Sequence, residues 1–424
     1  MKKLFFLLLV TASLIACSDR RPRHIGDLPI IDIIGNMGNF QRVYMSNLFS
    51  SIELIPLETN EDCLLNFGLN PLVNDSIIIM RGGNFRRLFA FDRTTGKFLN
   101  EIGRHGQGPG EFILPNPFFN IDQPTVFVFS VGERRILEYD FEGRYIRSFT
   151  SPEIDGRSLS GFAHIGDSLF FGSMPYTGDN EYQHFVFDHN TDIIQRFPNH
   201  IFFYKQGSGV SSFTMPMTPE RVDNRLYIKD RLNDTIYVFE NATLLPAYVF
   251  DFDQSIPIAF LETPITRSNL GTIHSPNFHI ERVFVATPKF FFYEITVPYG
   301  RTGQRVRPVW NPFLGEYRTP PRMPFYGIYD RVQNKSILLD TDQHLRQGIV
   351  NDINGGLSFI PQFYAGNGEI VGFWNPEDML EILTEEYFAT KTIKDPEAHQ
   401  RLRAVLRNLQ FDDNPVIVIA RLKE

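Results

Sequence analysis

Beyond about residue 50 the chain is a succession of short runs in which apolar and polar positions alternate. In 125–130, Val126, Val128 and Ser130 alternate with Phe127 and Phe129. Such aromatic and β-branched residues suit a pleated surface. An aromatic followed by an acid recurs, each time before a turn and a further short strand. The pairs are Phe91-Asp92, Tyr139-Asp140, Phe187-Asp188, Phe239-Glu240 and Tyr329-Asp330. The first two intervals are 48 residues, the third is 52, and insertions stretch the fourth to 90. A period of roughly 40–50 residues built from short strands predicts radial blades.

Each unit reads as four strands. In the second they fall near 116–121, 125–130, 134–140 and 144–149. Asp75, Pro124, Asp167 and Asn224 mark tight turns before second strands, and Gly96 and Gly143 mark turns before fourth strands. Blades begin near 69, 116, 158, 214, 279 and 358. The last has three strands, near 358–364, 368–374 and 415–422. Between them, 376–409 has helical composition, and Asn375-Pro376-Glu377-Asp378 is a helix start signal. The unused strand Ser51–Leu57 can complete that blade and remove an open sheet edge. The expected fold is therefore all-β: a six-bladed β-propeller of four-stranded antiparallel blades. Its N-terminal strand closes the last blade, and a short helical insertion lies near the C-terminus. The 41 Phe and 16 Tyr fit blades packed face to face.

The first residues follow another logic. Lys2 and Lys3 precede the apolar run Leu4–Ile15, which is short for a membrane span and ends in Leu14-Ile15-Ala16-Cys17. This has the form of a lipoprotein leader with Cys17 as the lipidated residue. The expected organisation is a leader at 1–16, a lipidated N-terminus and tether at 17–48, and the propeller at 49–424. Cys63 then has no partner for a disulfide and reads as a half-buried strand residue. The net charge is −8, and removing Lys2 and Lys3 with the leader leaves −10. An acidic chain without a basic stripe argues against nucleic acid as a partner.

Four segments occur in a recognisable order: FSSIELIPLETN, EIGRHGQGPGEF, RLNDTIYVF and NDINGGLSFIP. From about residue 49 onward the chain resembles the six-bladed, NHL-repeat-like propeller lipoproteins of gut Gram-negative bacteria. The resemblance implies the fold and an envelope location, and with the lipid on Cys17 the expected anchorage is the outer membrane. It implies no reaction, and fold does not fix function.

Connections between first and second strands, and between third and fourth, are all short: 73–75, 93–96, 122–124, 141–143, 189–191, 222–224 and 331–334. The opposite face carries the long ones: 103–115, 172–182, 198–213, 252–278, 298–324, 341–357 and 375–414. Long loops on a rigid scaffold are where binding usually occurs. Within 298–324, Arg301, Arg305, Arg307, Arg318 and Arg322 face one acid, Glu316, among Tyr299, Trp310, Phe313 and Tyr317. Guanidinium forks pair with carboxylate or sulfate, and flat rings stack on sugars. The candidate ligand-binding set is Arg301, Arg305, Arg307, Trp310 and Tyr317, joined by Arg104 and His105.

Other motifs carry less. Gly103–Gly110 lacks the ending of a phosphate loop and precedes a strand, so its glycines read as inter-blade turns. Asp352-Ile353-Asn354-Gly355-Gly356 opens like a calcium loop but lacks the distal glutamate, and reads as a turn. His184 and His189 span a strand and a turn. No catalytic residue, metal ligand or cofactor is assigned. The leading expectation is a binding propeller for an acidic glycan, a peptide or an envelope protein. A metal-assisted lyase or hydrolase in the central channel, using Asn70, Asn120 and His164, is the alternative. A structural subunit of an envelope complex is the third reading.

Overall fold

The computed structural model describes residues 24–25, 28–65, 71–204, 216–252, 256–263, 279–298, 309–311, 316–318, 322–340 and 348–424. It is a six-bladed β-propeller. Blade 2 shows the plan, with antiparallel strands Pro115–Phe119, Thr125–Ser130, Arg135–Asp140 and Tyr145–Thr150 in that spatial order. All six residues of Thr125–Ser130 are buried, because a blade has a neighbour on each face. Alternation then sorts side chains between two seams. Val126 and Val128 join the cluster shared with blade 1, and Phe127 and Phe129 join the cluster shared with blade 3. The aromatic surplus is spent in these seams, where Phe118, Phe127, Phe162 and Phe170 stack and meet edge-on.

The aromatic–acid repeat has a physical explanation. Phe91, Tyr139, Phe187 and Tyr329 are wholly buried, and the acid after each folds the next turn. Asp92 accepts from the Thr94 and Thr95 amides, Asp188 from those of Asn190 and Asp192, and Asp330 from those of Val332 and Gln333. Blade 4 departs from this. Asn241 and Ala242 take φ of 51° and 56°, a turn that closes without the acid, and Glu240 pairs with Arg225 at 2.9 Å.

The ring closes as the leftover strand suggested. Phe49–Pro56 runs antiparallel to Val416–Leu422 as the fourth strand of blade 6. The insertion before Val416 folds into helices Pro376–Ile382, Glu385–Ala389 and Pro396–Asn408. Asp395 caps the longest by accepting from the Ala398 amide. At the closing seam Arg93 reaches Glu53 and Glu369, each at 3.1 Å, and Arg421 holds the other oxygen of Glu369 at 2.6 Å.

Two details differ from the sequence reading. Residues 28–48, grouped there with the tether, lie packed along the outside of the propeller. Leu28–Asp32 runs parallel to the outer strand of blade 4, and Phe40–Gln41 runs parallel to that of blade 5. Ile31, Ile33 and Met45 are fully buried in this strap. The added strands are five and two residues long, too short to show a period in sequence. Cys63 is wholly buried in a turn rather than half-buried in a strand. Its thiol donates toward the Glu58 carbonyl, and burial pushes its pKa up, so it packs as a small apolar residue.

The Asp352–Gly356 turn is a buried knot. Asp352 accepts from the Ser46 amide and hydroxyl and meets Lys394 at 2.9 Å, tying the strap to the helical insertion. Gly355, at φ +74°, allows the reversal.

Candidate functional site

The long connections gather on one face. The link between the second and third strands of blade 5 spans Pro298 to Arg322, and that of blade 6 holds the three helices. The turns on the opposite face stay short in every blade.

The expected contact residues are described to different degrees. Arg301, Arg305 and Arg307 lie outside the described residues, as does Cys17. Trp310 and Tyr317 are register partners in a two-stranded hairpin, Val309–Asn311 with Glu316–Arg318, of which the backbone is described. Arg104 and His105 form a short exposed strand that pairs parallel with Glu111–Phe112. Blade 2 clamps this glycine loop. The Glu111 carboxylate accepts from the Gly108 amide, Arg135 donates to the Glu111 carbonyl, and the Tyr139 hydroxyl donates to the Gly110 carbonyl. The loop therefore presents Arg104 and His105 from a fixed base.

The central channel is tight. The innermost strands of blades 4 and 6 approach within 8 Å, Cα to Cα, although blade 5 separates them in the ring. Asn120 bonds Thr125 and Glu138, and His164 Nδ1 accepts from the Ile121 amide between the rings of Phe127 and Phe170. Both residues are thus engaged in the blades, and Asn70 lies outside the described residues. Glu220 stands on an innermost strand, and burial pushes its carboxyl up to about 8.

A cleft of about 200 Å³ opens between blades 3 and 4 at their long-loop ends. Period-2 alternation builds it. Phe171 and Val186 face this seam, and two residues further toward the loops the same faces carry Ser173 and His184. These two are register partners, with Ser173 Oγ and His184 Nδ1 2.8 Å apart. In blade 4, Leu226 and Ile228 face the seam, and Asp230 continues that side. Lys229 turns the other way, its ammonium 5.5 Å over Phe250 in the blade 4–5 core. Burial lowers the Lys229 pKa to about 8.

Asp230 is 3% exposed and His184 4%. The Tyr176 hydroxyl donates to Asp230 Oδ2 at 2.8 Å, and His184 Nε2 stands 3.6 Å from that oxygen, beyond hydrogen-bond range. Asp230 Oδ1 has no hydrogen-bond partner among the described residues. Burial holds the His184 pKa below its ordinary value, so the imidazole is neutral at neutral pH. Burial also raises the pKa of the Tyr176 phenol well above normal, which keeps its proton available to Asp230.

The mouth is formed by His200 and Tyr237, whose rings stack at 6.4 Å and 13°. Asn233 and Tyr237 both belong to NDTIY, one of the four segments that carry the family resemblance. The sequence reading missed His184, Asp230 and Tyr176 as a group. The available signal was that His184 sits two residues before Val186, hence on the same face, where a polar residue faces a seam.

The chain resembles proteins of known structure in its fold. A Bacteroides fragilis protein inferred to be exported shares 17% identity, with a TM-score of 0.63 over 93% of this chain and all of that one. A Bacteroides vulgatus member of the duf4221 family shares 14% identity, with a TM-score of 0.50 over 89% of this chain and 97% of that one. No curated protein matches the chain. The profile of a domain of unknown function, DUF4934, covers residues 28–421, and the chain belongs to that family.

Proposed function

We propose that this protein is a non-enzymatic binding propeller of the cell envelope, held to the outer membrane by lipid on Cys17 and engaging its partner through the long-loop face. The observation that carries this reading is the one-sided placement of the long connections on a scaffold whose other turns are uniformly short. The partner class is a glycan, a peptide or an envelope protein. Arg301, Arg305, Arg307, Trp310, Tyr317, Arg104 and His105 form its outer contact set. The leader ending at Ala16-Cys17 and the inferred export of the B. fragilis relative support the envelope location.

Photo-cross-linking in intact cells tests the face. A photoreactive residue at Arg104, Trp310 or Tyr317 should give adducts. One at Val332, 74% exposed on the short-turn face, should give none. Adducts of equal yield at both faces, or at Val332 alone, contradict the proposal. Combined replacement of Arg305, Arg307 and Trp310 should reduce the adducts at Arg104 and Tyr317.

A further inference from the structure

We propose that the cleft between blades 3 and 4 binds an alkylammonium cation. The inference deepens the binding reading and rests on it only in taking the long-loop side as the working side.

The lining decides the chemistry. Tyr176, His184, Phe197, His200 and Tyr237 bring five rings around one cavity, with Pro198 and Pro246 at its edge. The side-chain amides there are already committed. Gln183 donates to the Met174 carbonyl and accepts from Asn180. Asn199 donates to the carbonyls of Asn180 and Ile201 and accepts from the Ile201 amide. Asn233 accepts from the Thr235 amide and donates toward the Tyr237 hydroxyl. A sugar ring needs several free donors and acceptors, and these groups are not free to serve it. Aromatic faces instead attract a cation through their quadrupoles, most strongly in a site shielded from water.

Asp230 supplies the second, independent observation. A carboxylate 3% exposed that receives one hydrogen bond leaves an oxygen unmatched, which is costly in a buried site. It lies behind Tyr176 and His184, both of which line the cleft. Among the described residues no lysine or arginine lines the cleft, and Lys229 turns to the other side of its strand, over Phe250, where its ammonium donates to the Asp230 and Asn233 carbonyls. The neutral imidazole of His184 adds no opposing charge. A cavity of about 200 Å³ is several waters in volume, enough for a trimethylammonium head.

The test is calorimetric titration of the full chain in detergent with choline. The neutral isostere 3,3-dimethylbutan-1-ol and methyl glucoside serve as comparison ligands. Choline should bind in the millimolar range or tighter, about tenfold or more better than the isostere, and methyl glucoside should not bind. Asp230→Asn should bring choline down to the level of the isostere. Should that variant fail to fold, Tyr237→Leu at the partly exposed mouth carries the same test, with an expected loss of similar size. Absence of choline binding, equal binding of choline and its isostere, or an unaffected Asp230→Asn would overturn the proposal. Choline binding with cross-links confined to the short-turn face would instead leave the cleft standing and refute the long-loop reading. Cross-links on the long-loop face without choline binding would do the reverse.

Discussion

Two seams of the same ring bury charge, and they treat it differently. Between blades 6 and 1, Arg93 is matched by Glu53 and Glu369, and Arg421 takes the remaining oxygen of Glu369. Between blades 3 and 4, Asp230 is equally sequestered but has one phenol donor and an oxygen with no hydrogen-bond partner among the described residues. The first seam joins the closing blade to blade 1, and its opposite charges pair directly across it, although Arg93 Nε has no hydrogen-bond partner among the described residues. The second lies beneath the long-loop face; Lys229 is an electrostatic neighbour of its carboxylate but donates to the backbone carbonyl, not to the carboxylate oxygens. The opposite-charge pairs of the first seam serve its closure, and the under-bonded carboxylate of the second is what the proposed cation would answer.

The largest effect is expected where opposite charges pair directly. Arg93→Ala strips Glu53 and the largely buried Glu369 of their shared partner, although Arg421 still holds Glu369. Breaking such a network should cost about 3 kcal/mol. Urea unfolding should show a lower midpoint with an unchanged slope, and a midpoint equal to wild type would remove the closure role. A backbone change at the same seam should come next. Gly96 has φ +70°, and a Cβ there would strike the Pro56 carbonyl of the closing strand. Gly96→Ala should therefore cost about 2 kcal/mol by the same measurement. The equivalent change at Gly132, φ +95° with open space around it, should cost less.

Much of this architecture was legible because blades are local. Four short strands joined by tight turns are contiguous in sequence, and in every aromatic–acid pair but that of blade 4 the acid folds a turn within its own blade. The closing strand was legible by subtraction, since Val416–Leu422 had no later partner. The strap was not: Leu28–Asp32 and Phe40–Gln41 are brief parallel additions whose register is set by blades more than two hundred residues away. The cleft was hidden for a related reason. Tyr176 and His184 come from blade 3, and Asp230 and Tyr237 from blade 4, so their grouping exists only once the seam forms. What the alternation could show was that His184 and Asp230 face inward. The basic insert at 298–324 was visible from composition alone, and its three candidate arginines lie outside the described residues.

The smallest stability effect, of opposite sign, tests the contrast between the seams most directly. It is the urea unfolding of Asp230→Asn without ligand, beside wild type. Removing a charge whose carboxylate receives a single hydrogen bond should leave the midpoint unchanged or raise it, by up to about 1 kcal/mol. A loss of about 2 kcal/mol or more would show that the carboxylate is a structural partner like Glu369, and would contradict the account of the cleft as a site built for a ligand.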